Sequence, residues 1–301
     1  MLNTIQPDRA GLPAQSSRQR LRQRVAQSNA FLVPGAANAL TARIIEDLGF
    51  EAVYLTGAGF TNTQLGMPDL GLLSVTELAD AAARISDVTT IPLVVDIDTG
   101  FGNALNVYRT VHLLERAGAA ALQIEDQIFP KKCGHFSGKG VVPLPEMLGK
   151  LHAALDARRD PDTVIIARTD ARAVEGFESA IERAHAMTEA GADIIFVEAP
   201  ETIDEMRAIA QLPAPQLVNI VIGGKTPMLP LAELDAMGFS IALYANAALQ
   251  TMIQSIQEVL GTLKTTGSLD SVQDRMAGFV ERQRIVGKPS YDALEARYKG
   301  A

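Results

Sequence analysis

Residues 92–126 read PLVVDIDTGFGNALNVYRTVHLLERAGAAALQIED. Two β-branched runs, 92–98 and 121–126, flank a stretch from Leu105 to Ala117 whose apolar residues return with helical period. Gly118 closes that stretch as a left-handed cap closes a helix. A strand, a helix and a second strand in this order form a crossover, and crossovers build parallel sheets. The same rhythm extends both ways. Further strands are predicted at 31–35, 52–57, 164–169, 194–199, 216–221 and 239–244. Helices are predicted at Asn38–Leu48, Val75–Ile85, Pro145–Ala157, Phe177–Ala190 and Ala232–Met237, with Gly49, Gly191 and Gly238 as stops. Eight such units in about 230 residues predict a TIM-type (β/α)8 barrel. A doubly wound open sheet would carry a glycine-rich phosphate loop after its first strand, and Pro34-Gly35-Ala36-Ala37-Asn38 is a poor match to one.

The barrel is expected over 31–264. Residues 1–30 read as a linker and a short surface helix, with Arg18, Arg20, Arg22 and Arg24 crowded together and Leu21 and Val25 contributing to no apolar face. This composition is shared with organelle transit peptides, but nothing marks a cleavage point. Residues 265–301 break the rhythm at Gly267 and at Gly287-Lys288-Pro289 and read as a helical extension, packed on the surface or exchanged with a neighbouring subunit. A formal charge of −8, with no dense basic stripe, lacks the electrostatic footprint of a nucleic-acid binder. No run has the length and apolarity of a membrane span or a secretory signal, and a cytoplasmic protein is expected. The single cysteine excludes an internal disulfide.

In a barrel, strand residues two apart share a face, and polar residues at C-terminal strand ends line the active-site mouth. By that rule Tyr54 and Thr56, Asp96 and Asp98, Gln123 and Glu125, Arg168 and Asp170, Phe196 and Glu198, and Leu217 and Asn219 face inward. Any one of these could be a solvated strand end or a rim salt bridge. Six polar strand ends together point to a site. Asp69, Asp96, Asp98, Glu125 and Glu198 gather more negative charge than Arg168 offsets, which calls for a divalent cation. Oxygen-only donors favour Mg2+ or Mn2+ over zinc, since the four histidines (112, 135, 152 and 185) form no cluster with the cysteine. Cys133 lies in Lys131-Lys132-Cys133-Gly134-His135, within a long polar loop of the kind that often closes over a site. The cations beside it, Lys131 and His135 among them, favour the thiolate, making Cys133 a candidate acid, base or nucleophile. The alternative is an inert small residue in a turn.

Taken together, IEDQIFPKKCGH (124–135), VVDIDTGFG (94–102), GMPDLG (66–71), ARTDA (167–171), EAP (198–200) and GGKTP (223–227) resemble the isocitrate lyase/phosphoenolpyruvate mutase superfamily. The resemblance spans residues 18 to 265, and the KKCGH loop marks its lyase branch, which includes 2-methylisocitrate lyase, 2,3-dimethylmalate lyase and carboxyphosphonoenolpyruvate mutase. It implies a magnesium-dependent barrel, usually a homotetramer whose paired subunits exchange a helix. By position, Asp96 and Asp98 resemble the metal pair, with Asp69 and Glu125 acting directly or through water. Thr56, Gly57 and Ala58 correspond to the cradle for the carboxylate next to the substrate's C2 oxygen; Arg168, Glu198 and Asn219 resemble substrate-binding residues. Cys133 resembles the lid acid, beside Gly134, and Tyr54 is expected near the substrate hydroxyl. The implied reaction cleaves a 2-hydroxy di- or tricarboxylate to a 2-oxo acid and a second carboxylate.

Three departures mark the pocket. Thr56-Gly57-Ala58 replaces Ser-Gly-Gly, Ile222 stands where many lyases carry Glu, and Ala245-Asn246 follows Tyr244 where Pro is common. They suggest a smaller or less charged substrate. Two other enzymatic readings use the same pocket, a phosphonomutase and an oxaloacetate decarboxylase or hydrolase. A non-catalytic acid-binding barrel is the remaining alternative.

Overall fold

A computed structural model describes residues 15–27, 29–132, 134 and 138–300. Its centre is a closed barrel of eight parallel strands in sequence order, β1 (Phe31–Ala36), β2 (Val53–Leu55), β3 (Leu93–Asp96), β4 (Ala121–Glu125), β5 (Val164–Thr169), β6 (Ile194–Val197), β7 (Gln216–Asn219) and β8 (Ile241–Tyr244). The barrel closes where Phe31 pairs with Ile241 and Pro34 with Tyr244. Around it run α1 (Ser17–Val25), α2 (Ala39–Asp47), α3 (Gly57–Phe60), α4 (Val75–Ser86), α5 (Ala104–Arg116), α6 (Leu144–Ala157), α7 (Ala171–Val174), α8 (Phe177–Glu189), α9 (Ile203–Ala210), α10 (Leu231–Met237) and α11 (Ala247–Thr266). Two further helices follow, α12 (Phe279–Ile285) and α13 (Lys288–Lys299).

Alternation sorts the strand residues into two cores. Val95, Ile97, Leu122, Ile124 and Ile165 pack outward against the helices, whereas Tyr54, Val94, Ala121, Ile166, Phe196, Leu217 and Leu243 fill the barrel. The strands are shorter than their apolar runs predict, because the site re-aims the backbone. β3 ends at Asp96 since Asp98 takes φ 48°, and β6 ends at Val197 since Ala199 takes φ 54°. Both conformations are sparsely populated for residues other than glycine and tend to cluster at functional positions. β2 ends at Leu55 because Thr56 becomes the N-cap of α3, its Oγ1 accepting from the Gly59 amide at 3.1 Å.

The N-terminal helix corrects one expectation. Leu21 is 1% exposed and joins Phe31, Ala120, Val164 and Ile194 in the interior core, so α1 plugs the N-terminal mouth of the barrel. Its arginines hold it there: Arg18 donates to the carbonyls of Ala119 (3.0 Å) and Glu115 (2.6 Å), and Arg22 to Asp193 (3.1 Å). Polar spacing hid an apolar pair because one helical turn separates Leu21 from Val25, and a nine-residue helix needs only that contact to dock. Leu21→Ala is expected to cost about 2–5 kcal/mol of stability, seen as a lower denaturant midpoint with unchanged slope.

The helices after the barrel are less covered. α12 lies on α2, where Arg284 pairs with Asp47 (2.6 Å) and Arg43 donates to the Ile285 carbonyl (2.7 Å). α11 buries none of its 20 residues and exposes Met252, Ile253, Ile256, Leu260 and Leu263. No described helix is long and apolar enough to cross a membrane.

Candidate active site

The C-terminal strand ends converge on one cavity lined by Tyr54, Thr56, Ala58, Asp69, Asp96, Glu125, Lys131, Gly134, Arg168, Glu198, Asn219 and Asn246, among others. Asp98 adjoins it through Lys131. Cys133 and His135 lie outside the described residues; their neighbours Lys131, Lys132 and Gly134 line the cavity.

On the β2 side, Gly57 donates its N–H to Asp96 Oδ2 at 3.3 Å. A Cβ at Gly57 would stand 3.1 Å from Asp98 Oδ1 and 3.2 Å from Asp96 Oδ2, so any larger residue here would have to push the acids back by a few tenths of an ångström. Asp96 Oδ1 accepts from the Asp98 amide (3.1 Å) and from Gln123 Nε2 (3.3 Å). Gln123 in turn accepts from the Tyr54 hydroxyl at 2.6 Å. The Tyr54 hydroxyl, expected beside the substrate hydroxyl, is thus committed to Gln123 and orients Asp96 through it. Burial holds its pKa well above the ordinary tyrosine value, so it stays a protonated donor.

Lys131 enters from the loop, its Nζ 2.5 Å from Asp69 Oδ1 and 2.7 Å from Asp98 Oδ1. Burial alone would lower its pKa, but Asp98, Glu125, Asp96 and Asp69 together hold it well above the ordinary lysine value. The Asp98 carboxyl is pushed up to about 7, mainly by burial, with Asp96 and Asp69 adding to the shift and Lys131 opposing it. Burial likewise lifts Glu125 well above its ordinary value.

Opposite the acids, Arg168 forks onto Asp170 (Nε to Oδ2 2.8 Å, Nη2 to Oδ1 3.1 Å), with Glu125 Oε2 at 3.3 Å from Nε and Glu198 Oε2 at 3.8 Å from Nη2. Its guanidinium lies 5.1 Å from the Phe196 ring centroid, which fixes the fork's plane. Burial would raise the Asp170 pKa, but Arg168 and Lys139 outweigh it and hold the carboxyl below its ordinary value. Lys139 also ties the loop down, donating to Asp170 Oδ1 (2.6 Å) and to the Gly134 carbonyl (2.5 Å).

The charge balance therefore differs from the expectation that Arg168 faces the acids alone, because Lys131 and Lys139 share the work. Sequence reading overlooked Gln123 and Lys139 as functional. Gln123 sits one inward position before Glu125, a signal in plain view. Lys139 is a loop lysine whose partner becomes visible only in three dimensions. Ile222 is exposed beyond the end of β7, with its carbonyl accepting from Gln250 Nε2 at 3.0 Å, and it does not line the cavity, whereas Ala245 and Asn246 do.

A divalent cation suits these donors. Among the described residues no three carboxylate, histidine or cysteine side chains form a protein-only cage. Mg2+ does not require one, being held commonly by one or two carboxylates with water and substrate completing the shell. Glu125 Oε1 is buried with no hydrogen-bond partner, an acceptor suited to a bound water.

Fold and site together define a (β/α)8 enzyme scaffold that sets carboxylates and cations against each other across one polar cavity, a class built to hold small organic acids with a cation's help. The chain belongs to the phosphoenolpyruvate mutase/isocitrate lyase superfamily: the family model described as phosphoenolpyruvate phosphomutase matches residues 21–264. It is 43% identical to 2,3-dimethylmalate lyase of Eubacterium barkeri, with 93% of this chain and 97% of that protein covered. It is also 43% identical to 2-methylisocitrate lyase of Aeropyrum pernix, covering 92% and 89% respectively. A phosphonopyruvate hydrolase solved with oxalate and Mg++ superposes with a TM-score of 0.84 at 33% identity, covering 94% of this chain and 99% of that one.

Proposed function

We propose that this protein is a magnesium-dependent carbon–carbon lyase that cleaves a 2-hydroxy di- or tricarboxylate, of the 2,3-dimethylmalate or 2-methylisocitrate type, into a 2-oxo acid and a carboxylate. The observation that carries the reading is one cavity that gathers Asp96 and Glu125, with Asp98 beside it through Lys131, together with Arg168, and that Lys131, Lys132 and Gly134 of the loop also line.

Asp96 and Asp98, backed by Asp69 and Glu125, would hold Mg2+, with Mn2+ as a substitute. The bound cation would supply Lewis-acid stabilisation to the substrate's C2 oxygen as the hydroxyl becomes a carbonyl. The backbone of Thr56, Gly57 and Ala58 receives the adjacent carboxylate, while Arg168, Glu198 and Asn219 orient the remainder. Glu125, whose Oε1 is buried without a hydrogen-bond partner, would accept the hydroxyl proton. The C2–C3 bond then breaks with its electron pair passing to C3, and the Cys133 thiol protonates that carbon. Lys131 and His135, close to Cys133 in sequence, would stabilise the thiolate that remains once the proton is given up.

The exposed apolar face of α11 supports a homotetramer in which helices are exchanged between subunits. The composition supports a cytoplasmic setting.

A Gly134 Cβ would stand 2.3 Å from Glu198 Oε1 and 2.5 Å from Arg168 Nη2. Gly134→Ala is therefore expected to hold the loop off the site and lower kcat/KM about 100-fold, with an unchanged melting temperature. The function itself is tested by a magnesium-dependent 2-oxo acid assay on 2,3-dimethylmalate, 2-methylisocitrate and related malates, with Cys133→Ser alongside. Oxaloacetate and phosphonopyruvate serve as controls, since the likeness to phosphonopyruvate hydrolase favours carbon–phosphorus chemistry as the second reading. Product from a hydroxy acid that is lost in the variant supports the lyase. Turnover of a control alone replaces it.

A further inference from the structure

The loop that carries Lys131, Lys132 and Gly134 to the cavity leaves the barrel at the end of β4 and returns at Val142, just before α6. Its two arms pair with each other. Gln127 bridges Val141 in antiparallel fashion, the Ile128 amide donates to the Gly140 carbonyl (2.9 Å), and the Val142 amide donates to the Asp126 carbonyl (2.8 Å). Gln127 also clamps Lys132, its side-chain amide donating to the Lys132 carbonyl (2.8 Å) and accepting from the Lys132 N–H (3.0 Å). The arms are thus fixed to one another, and where the loop stands over the site depends on what holds the foot of this stem.

Behind the foot lies Arg183 of α8, 7% exposed and not part of the cavity's lining. The other residues that α8 buries, Ala180, Ala184 and Met187, are apolar. Arg183 Nη1 donates to the Val142 carbonyl (3.0 Å) and to Asp126 Oδ2 (3.3 Å), while Nε and Nη2 fork onto Glu175 (3.0 and 3.2 Å). Asp126 is fully buried and held independently, Oδ1 accepting from the Asp170 amide (2.9 Å) and Oδ2 from the Thr169 hydroxyl (2.7 Å). One guanidinium nitrogen therefore joins the foot of the loop to the carboxylate bonded to the end of β5, where Arg168 and Asp170 stand. A buried ion pair is a poor source of net stability, since well-packed apolar residues of similar volume often serve as well. A donor fork of fixed geometry does what an apolar residue cannot, which is to set the register between two segments.

We propose that Arg183 is a positioning residue that holds the foot of the loop, at Val142, in register with Asp126 and Asp170, and so places the loop against Arg168 for the reaction. It touches no substrate. The assignment rests on the lyase reading for the reaction it serves, whereas its hold on the loop has a readout of its own. Without Arg183, Asp170 keeps its amide bond to Asp126 and its fork on Arg168, so the loss should fall on turnover rather than on substrate binding.

The test compares wild type with Arg183→Met and Arg183→Lys at a temperature where melting curves show each protein folded. Trypsin cuts after Lys132 and Lys139, followed by mass, report opening of the loop; kcat and KM are measured on 2,3-dimethylmalate and 2-methylisocitrate. In Arg183→Met the loop cuts are expected to accelerate by about tenfold or more, because cleavage tracks the population of the open segment. Its kcat should fall about 100-fold, the scale of a small misplacement remote from the chemistry, with KM unchanged within about threefold. Arg183→Lys keeps a positive charge beside Asp126 but lacks the fork, and should lie between wild type and Arg183→Met in both readouts. Folded variants with wild-type loop cuts and wild-type kcat overturn the assignment and leave Arg183 a structural counter-ion. A change in only one of the two readouts, or a loss carried by KM, overturns it as well. Should Arg183→Met not fold, Arg183→Lys decides on the same terms. If wild type turns over neither acid while the loop cuts accelerate in the variants, the lyase reading fails and Arg183 stands as the anchor of the loop.

Discussion

Asp98→Asn is expected to lower kcat/KM by about a thousandfold or more, because a cation's stabilisation of a developing oxyanion amounts to several kcal/mol and this carboxylate is one of the two that would hold it. The same change should leave the metal-free fold intact. Burial pushes the Asp98 carboxyl up to about 7, so below neutrality the folded protein keeps a proton there that the unfolded chain has already released. The sign follows: without metal, this group's contribution to stability is greatest near pH 4 and is lost as pH rises toward 7. Asn mimics the protonated acid and should abolish that part of the slope. Magnesium should raise the melting temperature of the wild type at pH 8, where the carboxylate is charged, and do little for the variant. Melting curves from pH 4 to 8, with EDTA or with magnesium, check all of this. A variant that retains both magnesium stabilisation and turnover would remove Asp98 from the metal site.

The barrel was legible in the sequence because parallel strands buried on both faces need near-continuous apolar runs, and four of the helices between them, α2, α5, α8 and α10, end at a glycine of the kind a left-handed cap favours. Gly49, Gly118, Gly191 and Gly238 do take positive φ, from 87° to 109°. The acidic and cationic strand ends were legible for the same reason, since period-two alternation assigns Asp96, Asp98, Glu125 and Arg168 to one face. What alternation cannot convey is which groups pair across the mouth. Lys131 was read as a catalytic cation beside Cys133, yet it reaches Asp69, a residue in a loop 62 positions earlier in the chain. Tyr54 was placed on the right face, but its partner Gln123 lies two strands away. The strand limits at Asp96 and Val197 were hidden too, because a left-handed aspartate or alanine carries no composition signal of the kind glycine gives.

Arg168→Met should be the most damaging substitution to fold and function together. The guanidinium is the cation shared by Asp170, Glu125 and Glu198, all of them buried. Removing one partner of a buried ionic cluster leaves uncompensated carboxylates and costs about 3–5 kcal/mol, even where the whole cluster adds little net stability. The loss should depend on pH. In the wild type, Arg168 and Lys139 hold the Asp170 pKa down, so this carboxylate stabilises the fold above its unfolded pKa and the benefit disappears as pH falls through the folded value. In the variant Lys139 alone opposes burial, the Asp170 pKa should rise, and the deficit relative to wild type should shrink toward acid pH. Arg168→Lys should recover part of the stability and little of the activity, since an ammonium cannot reproduce a fork held on Asp170 and set over Phe196. A double-mutant cycle with Asp170→Asn separates the two roles. Adding Asp170→Asn to Arg168→Met should restore part of the stability by removing one of the three stranded charges, but kcat/KM should stay depressed, because the substrate would still lack its cation. Recovery of both would make Arg168 a purely structural counter-ion.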